Sequence, residues 1–123
     1  MCGTAQRSLR ESMLIDVRDG LCESRGIDVK DVLSSSRHGK VVCVRRTAAW
    51  AGRRFLGVSL HAMAGVLRGE PRRRRSGVGH SSIAGMLLWV RSDAIRRDVF
   101  DRAALDCVMG VAWTRIAAAG AAS

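Results

Sequence analysis

Apolar residues recur at steps of three and four along nearly the whole chain, and this spacing is the strongest constraint on its fold. Leu9, Met13, Val17 and Leu21 fall every four residues, with Leu14 and Cys22 beside them. The pattern returns at Val41, Val44, Ala48, Ala51 and Phe55, then at Leu60, Met63, Ala64 and Leu67, and again at Ile83, Met86, Leu87, Val90 and Ala94. Such spacing lines one face of a helix, whereas a half-buried strand needs strict alternation. A single proline, Pro71, and an abundance of Ala, Leu, Arg and Met agree with this, because these side chains lose little freedom in a helix. The expected fold class is all-α.

Boundary signals divide the pattern into segments. A first helix stops near Gly26, and Asp28 caps a short second one at Val29-Lys30-Asp31-Val32-Leu33. Ser34-Ser35-Ser36-Arg37-His38-Gly39 is a loop by composition. A third helix runs from about Lys40 to Phe55, with Arg45, Arg46, Arg53 and Arg54 mostly off its apolar stripe, and Gly57 ends it. Ser59 caps a fourth helix that Gly69 closes. Glu70 to Gly79, with four adjacent arginines, is expected to be an extended loop. A fifth helix opens at His80-Ser81-Ser82, with a serine or His80 near its cap. The helical pattern continues from Ser92 to about Ala117 with a break near Asp98, Val99, Ala103, Leu105 and Val108 are among its apolar positions, and the small-residue tail frays. Trp50, Trp89 and Trp113 are expected to pack rather than to stack on a ligand. The strip Val108, Val111, Ala112 and Ile116 either covers the core or forms a dimer face.

At 123 residues the chain is one domain's worth. Its 21 basic residues, 19 of them Arg, outweigh 11 acids to give a net charge of +10, and GC-rich coding alone could supply arginine at that level. Placement is more telling than number. From Arg37 to Arg75 there are eleven basic residues and one acid, Glu70, while elsewhere ten basic residues balance ten acids. Coding bias spreads arginine evenly; a phosphate-binding surface concentrates it, so the natural partner is polyanionic.

Cys2, Cys22, Cys43 and Cys107 are scattered, without a Cys-x-x-Cys pair or a His at ligand spacing, and read as reduced cytosolic thiols rather than a metal site. There is no basic-then-apolar leader, and the apolar run Ile83 to Val90 is too short to span a bilayer. These features imply a cytoplasmic protein without a membrane partner. Gly79-His80-Ser81-Ser82-Ile83 lacks the closing glycine of a nucleophile elbow, so no enzymatic role and no cofactor are expected. His38 and His61 are read as solvated or partly buried.

Two blocks carry a family resemblance. Gly26-Ile27-Asp28-Val29-Lys30-Asp31-Val32-Leu33-Ser34 precedes the basic loop, and Gly79-His80-Ser81-Ser82-Ile83 opens a helix after a capped one. Over roughly Leu14 to Leu87 the order of parts resembles the C-terminal DNA-binding domain of the bacterial replication initiator DnaA, whose recognition helix opens with Asp-His-Thr-Thr-Val. The chain departs from that family at Gly79, which replaces an aspartate able to accept from cytosine, at Val44, where the family's loop region ends in proline, and in about eight extra residues, Glu70 to Gly77. The initiator's nucleotide module is missing from the sequence, since Gly39-Lys40 lacks the rest of a phosphate loop. No nucleotide is therefore expected as a partner.

The resemblance implies a helix-turn-helix variant of the Trp-repressor-like, DnaA C-terminal type, with a core at about residues 9–97 and an extra helical segment at about 98–119. It implies double-stranded DNA as the partner and a role in replication initiation or transcription regulation. Arg37 would enter the minor groove, with Lys40, Arg45 and Arg46 on phosphates and His80, Ser81 and Ser82 at the major groove. Arg72, Arg73, Arg74 and Arg75 are either a solvated run or further phosphate contacts. A homodimer would supply a second half-site. The same basic helical scaffold could instead serve a protein-interaction or RNA-binding adaptor.

Overall fold

The computed structural model describes residues 2–34, 36–68 and 78–122, with side chains described for 9–34, 36–68 and 83–121. Among them are six α-helices and no strand, so the all-α expectation holds. They are α1 (Cys2–Arg25), α2 (Val29–Leu33), α3 (Gly39–Ala51), α4 (Leu60–Arg68), α5 (Val78–Arg91) and α6 (Ala94–Ala122), with a π-helical turn, Gly52–Leu56, continuing α3. No helix among the described residues is long and apolar enough to cross a membrane.

Local signals set most of the boundaries. Gly26 has φ +67°, the left-handed conformation that follows a helix end without a Cβ penalty, and α1 stops at Arg25. Asp28 accepts from the Lys30 amide at 2.9 Å and starts α2. Ser59 accepts from the Ala62 amide at 3.2 Å and starts α4. Gly57, at φ +68°, turns the chain after the π-helical turn.

One apolar cluster joins all six helices. α3 is its axis: Val41, Val44, Ala48, Ala49, Trp50 and Ala51 are all buried, as befits a central helix with neighbours on several sides. Leu14, Val17, Leu21 and Cys22 cover it from α1, and Met63, Val66 and Leu67 from α4. Ile83 and Val90 enter from α5, and Ala104 from α6. Leu9 and Phe55, placed on apolar stripes by spacing, are instead exposed, Phe55 because the π-helical turn shifts the helical phase so that Gly52 and Leu56 take the inward positions. Gly52 sits at a tight junction: a Cβ there would lie 3.0 Å from Met63 Sδ and 3.3 Å from Leu14 Cδ1, so α1 and α4 close over its bare Cα.

The C-terminal half differs from the expectation in three ways. The break falls at Ser92-Asp93 rather than near Asp98, so Ala94 is the exposed first residue of α6 and not part of the buried side of α5. The cause is Asp93, whose carboxylate accepts from the Arg96 amide at 2.9 Å, while Ser92 Oγ, Arg96 and Arg97 donate to the last carbonyls of α5. Second, α6 runs on to Ala122, since its alanine-rich end favours helix over fraying. Third, the inner face of α6 is Phe100, Ala104, Cys107, Val108 and Val111, whereas Val99, Leu105, Ile116 and Trp113 face outward. The strip Val108, Val111, Ala112 and Ile116 is thus split between two sides of the helix.

Polar contacts fix α6 in place. Trp50 Nε1 and Arg54 Nε donate to Asp101 at 2.6 and 3.3 Å, and Arg115 donates to Asp16 and to Ser12, each at 2.7 Å. Trp89 lies between the guanidiniums of Arg46 and Arg96, each 3.9 Å from the ring centroid, and meets Phe100 edge to face. Burial raises the thiols of Cys22 and Cys107 above their ordinary range, with Asp106 adding to the rise at Cys107, and Cys22, Cys43 and Cys107 are unbridged.

The Asp93 cap makes stability depend on pH. The Arg96 amide holds the Asp93 carboxyl below its ordinary value, so its contribution is complete above that value and is lost as pH falls through the depressed one. Asp93→Asn keeps an acceptor without the titration. Urea midpoints of the two proteins should differ at neutral pH and converge in acid; a gap that is constant across pH would remove the carboxylate from this role.

Candidate nucleic-acid interface

The basic loop between α2 and α3 is built on a buried arginine. Arg45 is 3% exposed, and its guanidinium donates to four main-chain carbonyls: Val32 at 2.8 Å, Ser36 at 2.6 Å, Ser34 at 2.7 Å and Asp31 at 3.1 Å. The planar five-donor fork of arginine suits this arrangement, and lysine could not reproduce it. Ser34 Oγ accepts from the Ser36 amide and Ser36 Oγ from the His38 amide, so the loop is held from within as well. His38 then caps α3, its Nδ1 accepting from the Lys40 amide at 3.3 Å.

This corrects the reading of Arg45 as a phosphate contact, since it lies beneath the loop with four of its donors already engaged. Its place was visible in the spacing: Arg45 is four residues after Val41 and three before Ala48, inside the apolar stripe rather than off it. Arg46 is half-buried against the Trp89 ring, so it too is engaged within the fold.

Arg37 and Lys40 are the residues the loop presents. Both are exposed, and neither side chain has a hydrogen bond or ion pair among the described residues. They flank the start of α3, whose first turn contains no acid, so the helix's partial positive charge adds to theirs. Arg45 contributes from below. Among the described residues it has no carboxylate partner, and burial, followed by the charge of Arg68, lowers its pKa; a guanidinium nonetheless stays protonated. Arg68, at the end of α4, therefore belongs to the same positive region, and sequence spacing gave no sign of it.

Several other arginines act within the fold. Arg10 donates to the Gly57 carbonyl and Arg18 to that of Val66, while Arg54, Arg96 and Arg115 join helices as described.

His80, Ser81 and Ser82 lie on α5, which begins at Val78, two residues earlier than expected. They occupy its opening turns rather than its cap, and their side chains lie outside the described residues. Arg72, Arg73, Arg74 and Arg75, together with the rest of Glu70 to Gly77, also lie outside them. Trp113, expected to pack, is 66% exposed on α6, whereas Trp50 is buried and Trp89 is sandwiched. His38 and His61 are exposed. No family model, curated protein or solved structure matches the chain.

Proposed function

We propose that this protein binds double-stranded DNA, with the loop before α3 as its principal phosphate- and groove-contacting element. The observation that carries this reading is Arg45: a buried guanidinium with no counter-carboxylate among the described residues, spent on holding the loop that displays Arg37 and Lys40. Burying an unpaired charge is unfavourable, and a phosphate backbone at the loop surface would offset that. In this reading Arg37 inserts into the minor groove, Lys40 neutralises phosphate, and the opening turns of α5 with His80, Ser81 and Ser82 face the major groove. The regulatory setting is replication initiation or transcription, as the resemblance to the DnaA C-terminal domain suggests, and the protein acts at the nucleoid.

Fluorescence anisotropy across a salt series, with a duplex carrying a DnaA-type box, a shuffled duplex and an RNA duplex, tests it. The box should bind at least about tenfold more tightly than the shuffled duplex. Lys40→Ala should weaken all duplexes alike and reduce the salt slope by about one, whereas His80→Ala should narrow the preference for the box. Equal effects of the two substitutions would overturn the division of roles. Preference for RNA would replace DNA as the partner, and weak, salt-independent binding throughout would overturn the proposal.

A further inference from the structure

The outer face of α6 carries a line of residues at coiled-coil spacing that packs on no other helix among the described residues. Ile95, Val99, Arg102, Asp106, Met109, Trp113 and Ile116 follow one another at alternating steps of four and three, the spacing that keeps one line of a helix facing a second helix. The five apolar members are 51% to 78% exposed, and Leu105 flanks them, also exposed. Two exposed apolar groups, Ile95 with Val99 and Met109 with Trp113 and Ile116, thus lie on one line of the helix on either side of Arg102 and Asp106. The opposite side of α6 already packs on the core through Phe100, Ala104, Cys107, Val108 and Val111, so the seam is not a face awaiting the rest of this fold.

We propose that α6 pairs antiparallel with α6 of a second copy of this chain. The charged residues at the middle of the seam select both occupant and direction. In an antiparallel pair centred level with residue 104, Ile95 of one copy meets Trp113 of the other, Val99 meets Met109, and Arg102 meets Asp106, each layer formed twice by the symmetry. Every seam position from 95 to 113 thus finds an apolar partner or an opposite charge. In a parallel pair Arg102 would face Arg102 and Asp106 would face Asp106, with like charges in the centre. Neither side chain has a hydrogen bond or ion pair among the described residues, so both are available. The size agrees: the four exposed apolar residues of the paired layers at on the order of 100 Å² each, with Leu105, the flanking stems and Ile116 just beyond the last layer, approach the ~800 Å² per partner of a stable interface. The central charged layers lower affinity while fixing register.

The pairing does not depend on nucleic-acid binding, so it can be measured without DNA. Sedimentation equilibrium of the full chain at micromolar concentrations should show a dimer. Arg102→Glu and Asp106→Lys each place like charges opposite one another in two layers, and each alone should weaken self-association roughly a hundredfold. Mixed in equal amounts the two variants regain complementary layers and should form a heterodimer, and the double variant should form a homodimer again. Both positions are exposed, so the variants should keep the parent's helical circular dichroism, which separates a lost interface from a lost fold. A wild-type chain that stays monomeric at about 100 µM would overturn the proposal. So would single variants that remain dimeric, or a mixture that stays monomeric.

Discussion

Arg45→Met is expected to unfold in urea with about 3 kcal/mol less stability than the parent and to bind duplex DNA at least about tenfold more weakly. Methionine matches the stem of arginine and fills the apolar part of the site, so the substitution isolates the loss of the fork. Removing the donors leaves the carbonyls of Val32, Ser34 and Ser36 without their guanidinium partner, while that of Asp31 still accepts from the Ser34 amide and hydroxyl. Stranded acceptors in a partly buried setting cost about 1–3 kcal/mol each, and part of that total returns because a charge no longer has to be buried. The affinity loss follows separately, since Arg37 and Lys40 then sit on a segment that must be ordered at the moment of binding. Arg45→Lys should resemble methionine more than arginine, because one ammonium cannot span four carbonyls. Denaturant titration and anisotropy on the same preparations check both halves. An Arg45→Met protein with full DNA affinity would remove the loop from the interface.

Leu14→Ala should lower stability by a similar amount, about 3 kcal/mol, while leaving DNA affinity under native conditions unchanged. Leu14 is fully buried, and its Cδ atoms rest on the bare Cα of Gly52, where α1 meets the end of α3 opposite Met63. Truncation removes the methyl groups that fill this junction, and the flanking backbone has little room to collapse because Gly52 is already in close contact with Met63. Loss of less than about 1 kcal/mol would mean that α1 is not packed as described. The comparison with Arg45 is the informative part: two proteins equally destabilised should differ in DNA binding. If both weaken it alike, the effect at Arg45 is general and not that of the loop.

Features written into a few neighbouring residues are legible in the sequence itself. Asp28 and Ser59 as caps, and Gly26 and Gly57 as stops, depend on one side-chain oxygen or one missing Cβ, and each does what its residue type favours. The faces of α1, α4 and α5 follow from spacing for the same reason. What spacing could not give was the neighbour on each face. Arg45 sits within a stripe whose other members are apolar, and only the approach of the carbonyls from residues 31–36 turns that position into a favourable one for a guanidinium. Asp93 outweighs Asp98 as a helix start because Ser92, Arg96 and Arg97 meet the closing carbonyls of α5 there, a cooperation between two helices that is invisible from either alone. For α6, whose two sides are both apolar, the sequence shows hydrophobic positions without saying which of them look inward.

The three tryptophans end in three different surroundings. Trp50 is buried with its Nε1 on a carboxylate, Trp89 is clasped between two guanidiniums where α3, α5 and α6 meet, and Trp113 stands in water on the outer seam. Intrinsic emission is therefore a composite of three gauges in one chain: the integrity of the core, the closure of the joint between α5 and α6, and the covering of the outer helix face. Single-tryptophan versions would let folding, local opening and self-association be followed separately without an attached dye.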